Sequence, residues 1–459
     1  FEADSFQEFN YFGSSVALHG EWAVVGAKGD DENGATYVFR LQPDSTWSRF
    51  QRLIPNGYLR SDFGAAVALD QQSLIIGAPR EPTASAYTFN GDAWALQDEL
   101  DNGDLLASGD FGFGVAVDGD RAVVGSPSDA GPGEDRGASF VFERHGERWP
   151  VQVRLYGAGT ASGHFFGGSV AVEDGLAVVG APHDPDGAVG AGAAYIFVRG
   201  TNGWKLDQKI PAVDPTAFLS FGHEVAVVGD TVLIGSPNRD FDEHTRAAGA
   251  VYLYRKTGGI WQLEDTWLPH SPREGGSFGF SIDTDGSAVV VGAPGNAYFS
   301  TDESSVEIYE TSGDGWVYSE RITHFDMGVA GRFGEAIAIF GNTLLTGSRD
   351  FDEAYIMERT DGGWELAETL KPDHGRFFPT EFGTSVALDE DQAMVGNPEE
   401  DIGVVYAYKR TDTGWFLEEK LVPGEQSSFA REFGWSLDLK GHTATIGSPS
   451  TRFDIVPKG

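Results

Sequence analysis

The sequence predicts an all-β chain assembled from one repeated four-stranded unit. Three observations predict it: a phrase that recurs at a fixed period, a constant spacing inside each copy, and hydrophobic alternation of period two without a persistent helical stripe. The phrase is Phe-Gly, a short apolar stretch, then Gly-Ala-Pro or a close variant. Its nine copies begin at Phe12, Phe63, Phe111, Phe166, Phe221, Phe278, Phe333, Phe382 and Phe433. The Gly of the Phe-Gly pair lies 13 positions before the Gly of its partner phrase every time, from Gly13 and Gly26 to Gly434 and Gly447. A period of roughly 50 residues marks an array of one supersecondary unit. The constant parts build the scaffold, and the variable loops are free to bind.

The fourth copy displays the elements in order. Phe166 to Glu173 alternates small and apolar residues and is strand A. Asp174-Gly175 is a tight-turn signal, and Leu176 to Pro182 is a buried run, strand B. After an irregular loop, Ala194 to Arg199 is strand C; a turn at Gly200 to Gly203 leads to strand D, Trp204 to Ile210. The strand D Trp recurs at Trp47, Trp94, Trp149, Trp204, Trp261, Trp316, Trp364 and Trp415, so eight repeats are complete and the ninth is partial. A Trp at the same point of every complete unit reads as packing between units, and the Phe of each Phe-Gly pair reads the same way.

Four antiparallel strands per unit, repeated, predict a β-propeller: a single domain over residues 1–459, each unit a blade, strand A lining a central channel. The ninth copy offers Phe433 to Leu439 as strand A, His442 to Pro449 as strand B, and Phe453 to Val456 as a short strand C. The first eleven residues correspond to the end of a strand D. Joined in one shared blade, the two ends close a ring of nine, preferred over a ring of eight that would leave the last 27 residues redundant; an open array is the third possibility.

Composition narrows the function. Net charge is −38, from 32 basic and 70 acidic residues, which argues against nucleic acid and anionic membrane surfaces as partners. It fits a salty medium or divalent cations. No stretch of 18 apolar residues offers a membrane span. Cysteine is absent, excluding a disulfide framework, a thiolate metal site and a Cys nucleophile. No Asn-X-Ser/Thr sequon occurs, and the first residue is Phe rather than Met, as in a processed export product or a segment of a longer chain.

These repeats resemble the FG-GAP repeat family in its bacterial-type form. The match is carried by Phe12-Gly-Ser-Ser-Val-Ala, Ala23-Val-Val-Gly-Ala, Gly34-Ala-Thr-Tyr-Val-Phe and Trp47, repeated over almost the whole chain. The best-known relatives form the head propeller of integrin α subunits. The resemblance implies an extracellular or cell-surface propeller used for adhesion or ligand binding, without naming the ligand. The chain departs from the integrin pattern, whose calcium sites lie in Asp-rich A–B loops. Here those loops are short turns, and only Asp283 to Gly286 echoes the pattern. The integrin calcium sites are therefore not carried over.

Strands alternate direction, so B–C and D–A loops emerge on one face, and A–B and C–D turns on the other. The B–C segment varies in length, from Gly347–Tyr355 to Gly235–Tyr252, which selects the B–C/D–A face for binding. Its loops carry closely spaced carboxylates: Asp30, Asp31 and Glu32; Asp184 and Asp186; Asp240, Asp242 and Glu243; Asp350, Asp352 and Glu353; and Glu399, Glu400 and Asp401. Hard-oxygen donors at such spacing suit Ca²⁺, against the plainer reading of solvated acidic loops. Arg-Asp-Phe-Asp-Glu appears twice, at 239–243 and 349–353. The D–A segments add Tyr58, Phe165, Phe218, Phe325, Phe377, Phe378 and Phe429, which could stack on sugars or pack over the blade tops.

No acid/base or nucleophile constellation stands out. His164, His223 and His374 lie near the start of strand A in different blades and could approach the axis together, or coincide by position alone. Three functions remain: a non-catalytic extracellular or cell-surface binding module with a protein or glycan ligand on the B–C/D–A face; a structural subunit that self-associates in a surface assembly or filament; and a polysaccharide lyase or hydrolase.

Overall fold

The computed structural model describes residues 12–19, 22–27, 35–41, 47–55, 61–70, 73–79, 83–101, 111–127, 138–146, 148–155, 165–173, 175–200, 203–213, 216, 219–295, 304–312, 315–323, 332–360, 362–372, 381–389, 391–398, 400, 404–411, 414–421, 437–440 and 443–446. They form eight four-stranded antiparallel sheets and one two-stranded hairpin, with neighbours in sequence order in every sheet. Blade 4 is typical: strands Val170–Glu173, Leu176–Ala181, Ala193–Gly200 and Gly203–Pro211. Strand A starts four residues later there than the alternation suggests. The Phe-Gly pair forms a bend instead, with Gly167 at φ 95°. In six copies the residue before the Phe bends too: Asp62, Phe165, Ser220, Ser277, Arg332 and Glu381 all hold φ between 45° and 63°, in the left-handed region.

Strand A of each blade touches strand A of the next. The ninth, Leu437–Lys440, touches both Val386–Asp389 of blade 8 and Phe12–His19 of blade 1. Nine inner strands therefore close a β-propeller ring. The described part of blade 9 is its A–B hairpin; the strands expected at 1–11 and 453–456 lie outside the described residues.

The core is a series of layers between blades. Val178, Ile196 and Ile210 of blade 4 pack on Phe221, Val232, Ile234, Tyr252 and Trp261 of blade 5. Leu345, Ile356 and Leu370 of blade 7 pack likewise on Phe382, Val395, Tyr406 and Trp415 of blade 8. The Phe of the Phe-Gly pair commonly meets the strand C aromatic of its own blade: Phe166 lies 4.9 Å from Tyr195 and Phe382 5.0 Å from Tyr406, edge to face.

The 13-residue spacing has two physical causes. Within a blade, the Phe-Gly amide donates to the carbonyl of the partner Gly, as from Gly167 to Gly180 at 2.9 Å. Between blades, the two glycines meet as bare backbone. A Cβ on Gly180 would stand 2.1 Å from the Gly222 carbonyl oxygen, and one on Gly292 2.0 Å from that of Gly334. No side chain fits at that contact.

Polar latches repeat alongside. The Gln208 side chain clamps the Trp261 backbone of the next blade, donating to its C=O at 2.7 Å and accepting from its N–H at 2.8 Å; Gln51 does the same to Trp94. The Trp residues thus sit between blades as expected. On the A–B face, Asp70 accepts from Gly119 N–H at 2.6 Å and Asp285 from Gly341 N–H at 2.7 Å. Asp285 also accepts from Ser287 and Ala288 N–H in its own turn, so Asp283 to Gly286 is a turn with a latch.

Candidate functional site

Three of the described B–C loop carboxylates are buried: Asp184, Glu353 and Glu400. Asp184 is buried, at 1% exposure; one oxygen accepts from the Tyr195 hydroxyl at 2.6 Å, and the other meets Lys209 Nζ at 3.1 Å. Asp186 meets the same ammonium at 3.1 Å, so a strand D lysine stands between the two carboxylates. Blade 7 repeats the device, with Glu353 paired to the Tyr355 hydroxyl and Lys371. In blade 8, Glu400 accepts from the Tyr406 hydroxyl and the Asn397 amide, both at 2.6 Å. Asp350 pairs with Arg332 at 3.6 Å, and Asp352 accepts from Phe382 N–H at 3.0 Å.

The exposed blade 5 loop is organised on itself. Asp240 accepts from Ala247 N–H, and Asp242 from the N–H groups of His244 and Thr245. Those bonds, the His244 N–H foremost, hold the Asp242 carboxyl below its ordinary range. Glu243 is exposed, 3.3 Å from the His244 ring. Asp30, Asp31, Glu32, Glu399 and Asp401 lie outside the described residues. Among the described residues, no three His, Asp or Glu side chains gather as a metal site would need.

The same face carries a different grouping. The position after each Phe-Gly pair stands at the start of strand A, on the B–C/D–A side. It is Phe113 in blade 3, His223 in blade 5 and Phe280 in blade 6. Blade 4 has Gly168 there, and the ring comes instead from Phe165, held at φ 57°. A Cβ on Gly168 would lie 2.5 Å from that ring, so the glycine vacates the place the ring fills. Phe113 meets Phe165 edge to face at 5.4 Å, Phe165 lies 5.8 Å from His183, and His223 lies 5.2 Å from Phe280. His183 follows strand B of blade 4 and is exposed. Four consecutive blades thus contribute to one aromatic arc.

Burial shifts two titratable groups at the arc. Burial, and then the neighbouring His183, push the His223 imidazole below its ordinary pKa. Its Nδ1 is buried without a hydrogen-bond partner. Burial pushes the next residue, Glu224, up to about 7. Glu224 occupies the place where Ser15 and Ser281 donate to a carbonyl of the following blade, at 2.8 and 2.9 Å. On the far side, Arg349 joins Glu335 at 3.1 Å and Glu381 at 3.7 Å across blades 7 and 8.

Of the residues singled out in the sequence, the arc takes in Phe165 and His223. His164, His374, Tyr58, Phe218, Phe325, Phe377, Phe378 and Phe429 lie outside the described residues. Phe113, His183, Glu224 and Phe280 were not foreseen. Aligning the nine copies exposes the signal for Phe113, His223 and Phe280: the column after Phe-Gly reads Ser14, Ala65, Phe113, Gly168, His223, Phe280, Glu335, Thr384, Trp435.

Comparison with known proteins agrees on architecture. The FG-GAP repeat family model matches residues 3–39, 94–142, 149–197 and 204–254. The last three windows open in strand D of one blade and close in strand C of the next, so the sequence repeat straddles two blades. No curated protein matches the chain. Among solved structures, apo AztD from Citrobacter koseri is similar in fold, with TM-score 0.53 and 12% identity over 94% of this chain and 99% of that one. A putative 6-phosphogluconolactonase from Bacteroides uniformis gives TM-score 0.46 and 11% identity, over 77% of this chain and 96% of that one. A functionally unknown protein from Desulfotomaculum acetoxidans gives 0.42 and 13%, with the same coverage. With the Phe-Gly and Gly-Ala-Pro glycines meeting from blade to blade as the repeat demands, the chain belongs to the FG-GAP repeat family and folds as a β-propeller.

Proposed function

We propose that this protein is a non-catalytic binding or adhesion module of the cell surface or extracellular medium, holding a protein or glycan ligand on its B–C/D–A face. The aromatic arc carries this reading. Five rings cluster over four blades where the repeat pattern itself asks for no aromatic, and Phe113 is 47% exposed. Phe113 and His183 are exposed and the other three rings partly so; rings left open in this way on one rim of a constant scaffold support a binding role. The calcium expectation stands on Asp30, Asp31 and Glu32 and on the exposed Asp240, Asp242 and Glu243, while Asp184, Asp186, Asp350, Asp352 and Glu353 are engaged with the chain's own donors. The test is retention of the full chain on immobilised surface glycans and proteins, with ligand integrity followed by mass spectrometry. Retention of intact ligand that falls in a Phe113→Ala/Phe280→Ala variant supports the reading; ligand cleavage sinks the non-catalytic part.

One observation favours the structural-subunit reading as a second. Strand D is the outer edge of each complete blade, and its residue two beyond the Trp is apolar and exposed in several: Leu96, Val151, Leu206, Leu263, Leu366 and Leu417. Apolar side chains on open edges favour lateral association. Concentration-dependent sedimentation that disappears in a Leu206→Lys/Leu263→Lys variant would support it.

A further inference from the structure

The arc's chemistry narrows the ligand, granted the binding reading of this face. Its rings follow one another over consecutive blades, whereas blades 1, 2, 7 and 8 offer Ser14, Ala65, Glu335 and Thr384 at the same position, and Trp435 of blade 9 lies outside the described residues. A ligand served by such an arc repeats along its length. Among the rings stands an exposed imidazole, that of His183, 5.8 Å from Phe165. Its ring nitrogens can bond a hydroxyl as donor or acceptor. The ligand therefore carries hydroxyl-like groups beside its apolar faces. Among the described residues, no Lys or Arg makes a ring contact within the arc; on the same face Arg332 and Arg349 of blade 7 are bonded to Glu335, Asp350 and Glu381, and Arg239, Arg246 and Arg273 stand in the loops of blades 5 and 6. A chain of net charge −38 repels polyanions besides.

We propose that the arc of Phe113, Phe165, His183, His223 and Phe280 binds a segment of a neutral polysaccharide, sugar rings stacked on the aromatic faces and a hydroxyl bonded to the exposed His183 imidazole. Sugar rings meet each requirement: a repeating unit, an apolar C–H face, a rim of hydroxyls and no charge.

The experiment is calorimetric titration of the full chain with cello-, malto-, manno-, xylo- and chitohexaose, against polygalacturonate and alginate hexamers as anionic probes. At least one neutral hexaose binds, and the anionic hexamers do not. Affinity falls tenfold or more in Phe113→Ala and in Phe280→Ala, survives in Phe280→Tyr, and is unchanged in Phe351→Ala, which removes an exposed ring outside the arc. Unchanged thermal melts confirm that the variants fold. The proposal is overturned if no neutral hexaose binds at millimolar concentration, if the anionic hexamers bind better, or if the arc variants bind as the parent does. A protein ligand whose retention depends on Phe113 and Phe280 would overturn the sugar assignment while leaving the binding face intact. If neither sugar nor protein depends on these rings, both readings fall.

Discussion

Glu224→Gln removes the one carboxyl of the arc that burial holds near neutrality, and its effect on stability has a definite sign. The folded pKa is about 7, against an ordinary value of 4.5. That difference corresponds to about 3 kcal/mol, at about 1.4 kcal/mol per pH unit. The side chain keeps a partly exposed edge, and water there trims the figure to about 2–3 kcal/mol. Because the folded pKa is raised, the folded chain holds this proton more tightly than the unfolded one. The stabilisation is full below pH 4.5 and is lost as pH rises through about 7. Glutamine is isosteric and never ionises, so the variant escapes that loss. Urea denaturation of both chains at pH 5 and pH 8.5 reads the effect, and both values stay clear of the isoelectric point near 4.4. The variant's advantage should grow by roughly 2 kcal/mol between the two pH values. A difference that does not change with pH would refute the argument, because it would mean that Glu224 titrates alike in folded and unfolded chains.

Three further outcomes are expected. Gly180→Ala places a methyl 2.1 Å from the Gly222 carbonyl oxygen and should cost about 3 kcal/mol or more in urea unfolding. Gly229→Ala, with φ 60° but open space around it, should cost only about 1 kcal/mol; equal costs would remove the blade-to-blade contact as the reason for the glycine. Lys209→Met leaves Asp184 buried without its ammonium partner and should destabilise by about 3–5 kcal/mol; a variant as stable as the parent would make the pair ornamental. Melting the parent chain in calcium and in EDTA at fixed ionic strength should give a higher midpoint in calcium if Asp30, Asp31 and Glu32, or the exposed Asp240, Asp242 and Glu243, hold the ion; matching midpoints would leave these loops as solvated acidic surface.

The repeat made the architecture legible, because strand periodicity, turn signals and the Trp of strand D are local and occur many times over. The reason for the glycines was not legible. Gly180 meets Gly222, a residue of the next blade, and spacing inside one copy cannot reveal a neighbour across an interface. The partners of the acidic loops were not legible for a related cause. Asp184 and Asp186 look like open cation ligands until Lys209 arrives from strand D, 25 residues after Asp184. The arc was half legible. Phe165 and His223 drew notice as an aromatic and a histidine near the start of strand A, but a ring at one position per repeat carries no periodic signal within a repeat. Only comparison between copies separates Phe113, His223 and Phe280 from their scaffold.

The glycine-to-glycine seat between blades is made of main chain alone, and main chain is the same whatever the neighbouring residues are. Each blade therefore docks on the next through a joint that is blind to the side chain one residue along, where Phe113, His223 and Phe280 stand. On the proposed binding reading, recognition can drift at that column, from ring to hydroxyl to carboxylate, without touching the main-chain seat. A propeller jointed in this way can change its ligand by single substitutions, copy by copy, without passing through a sequence that fails to fold.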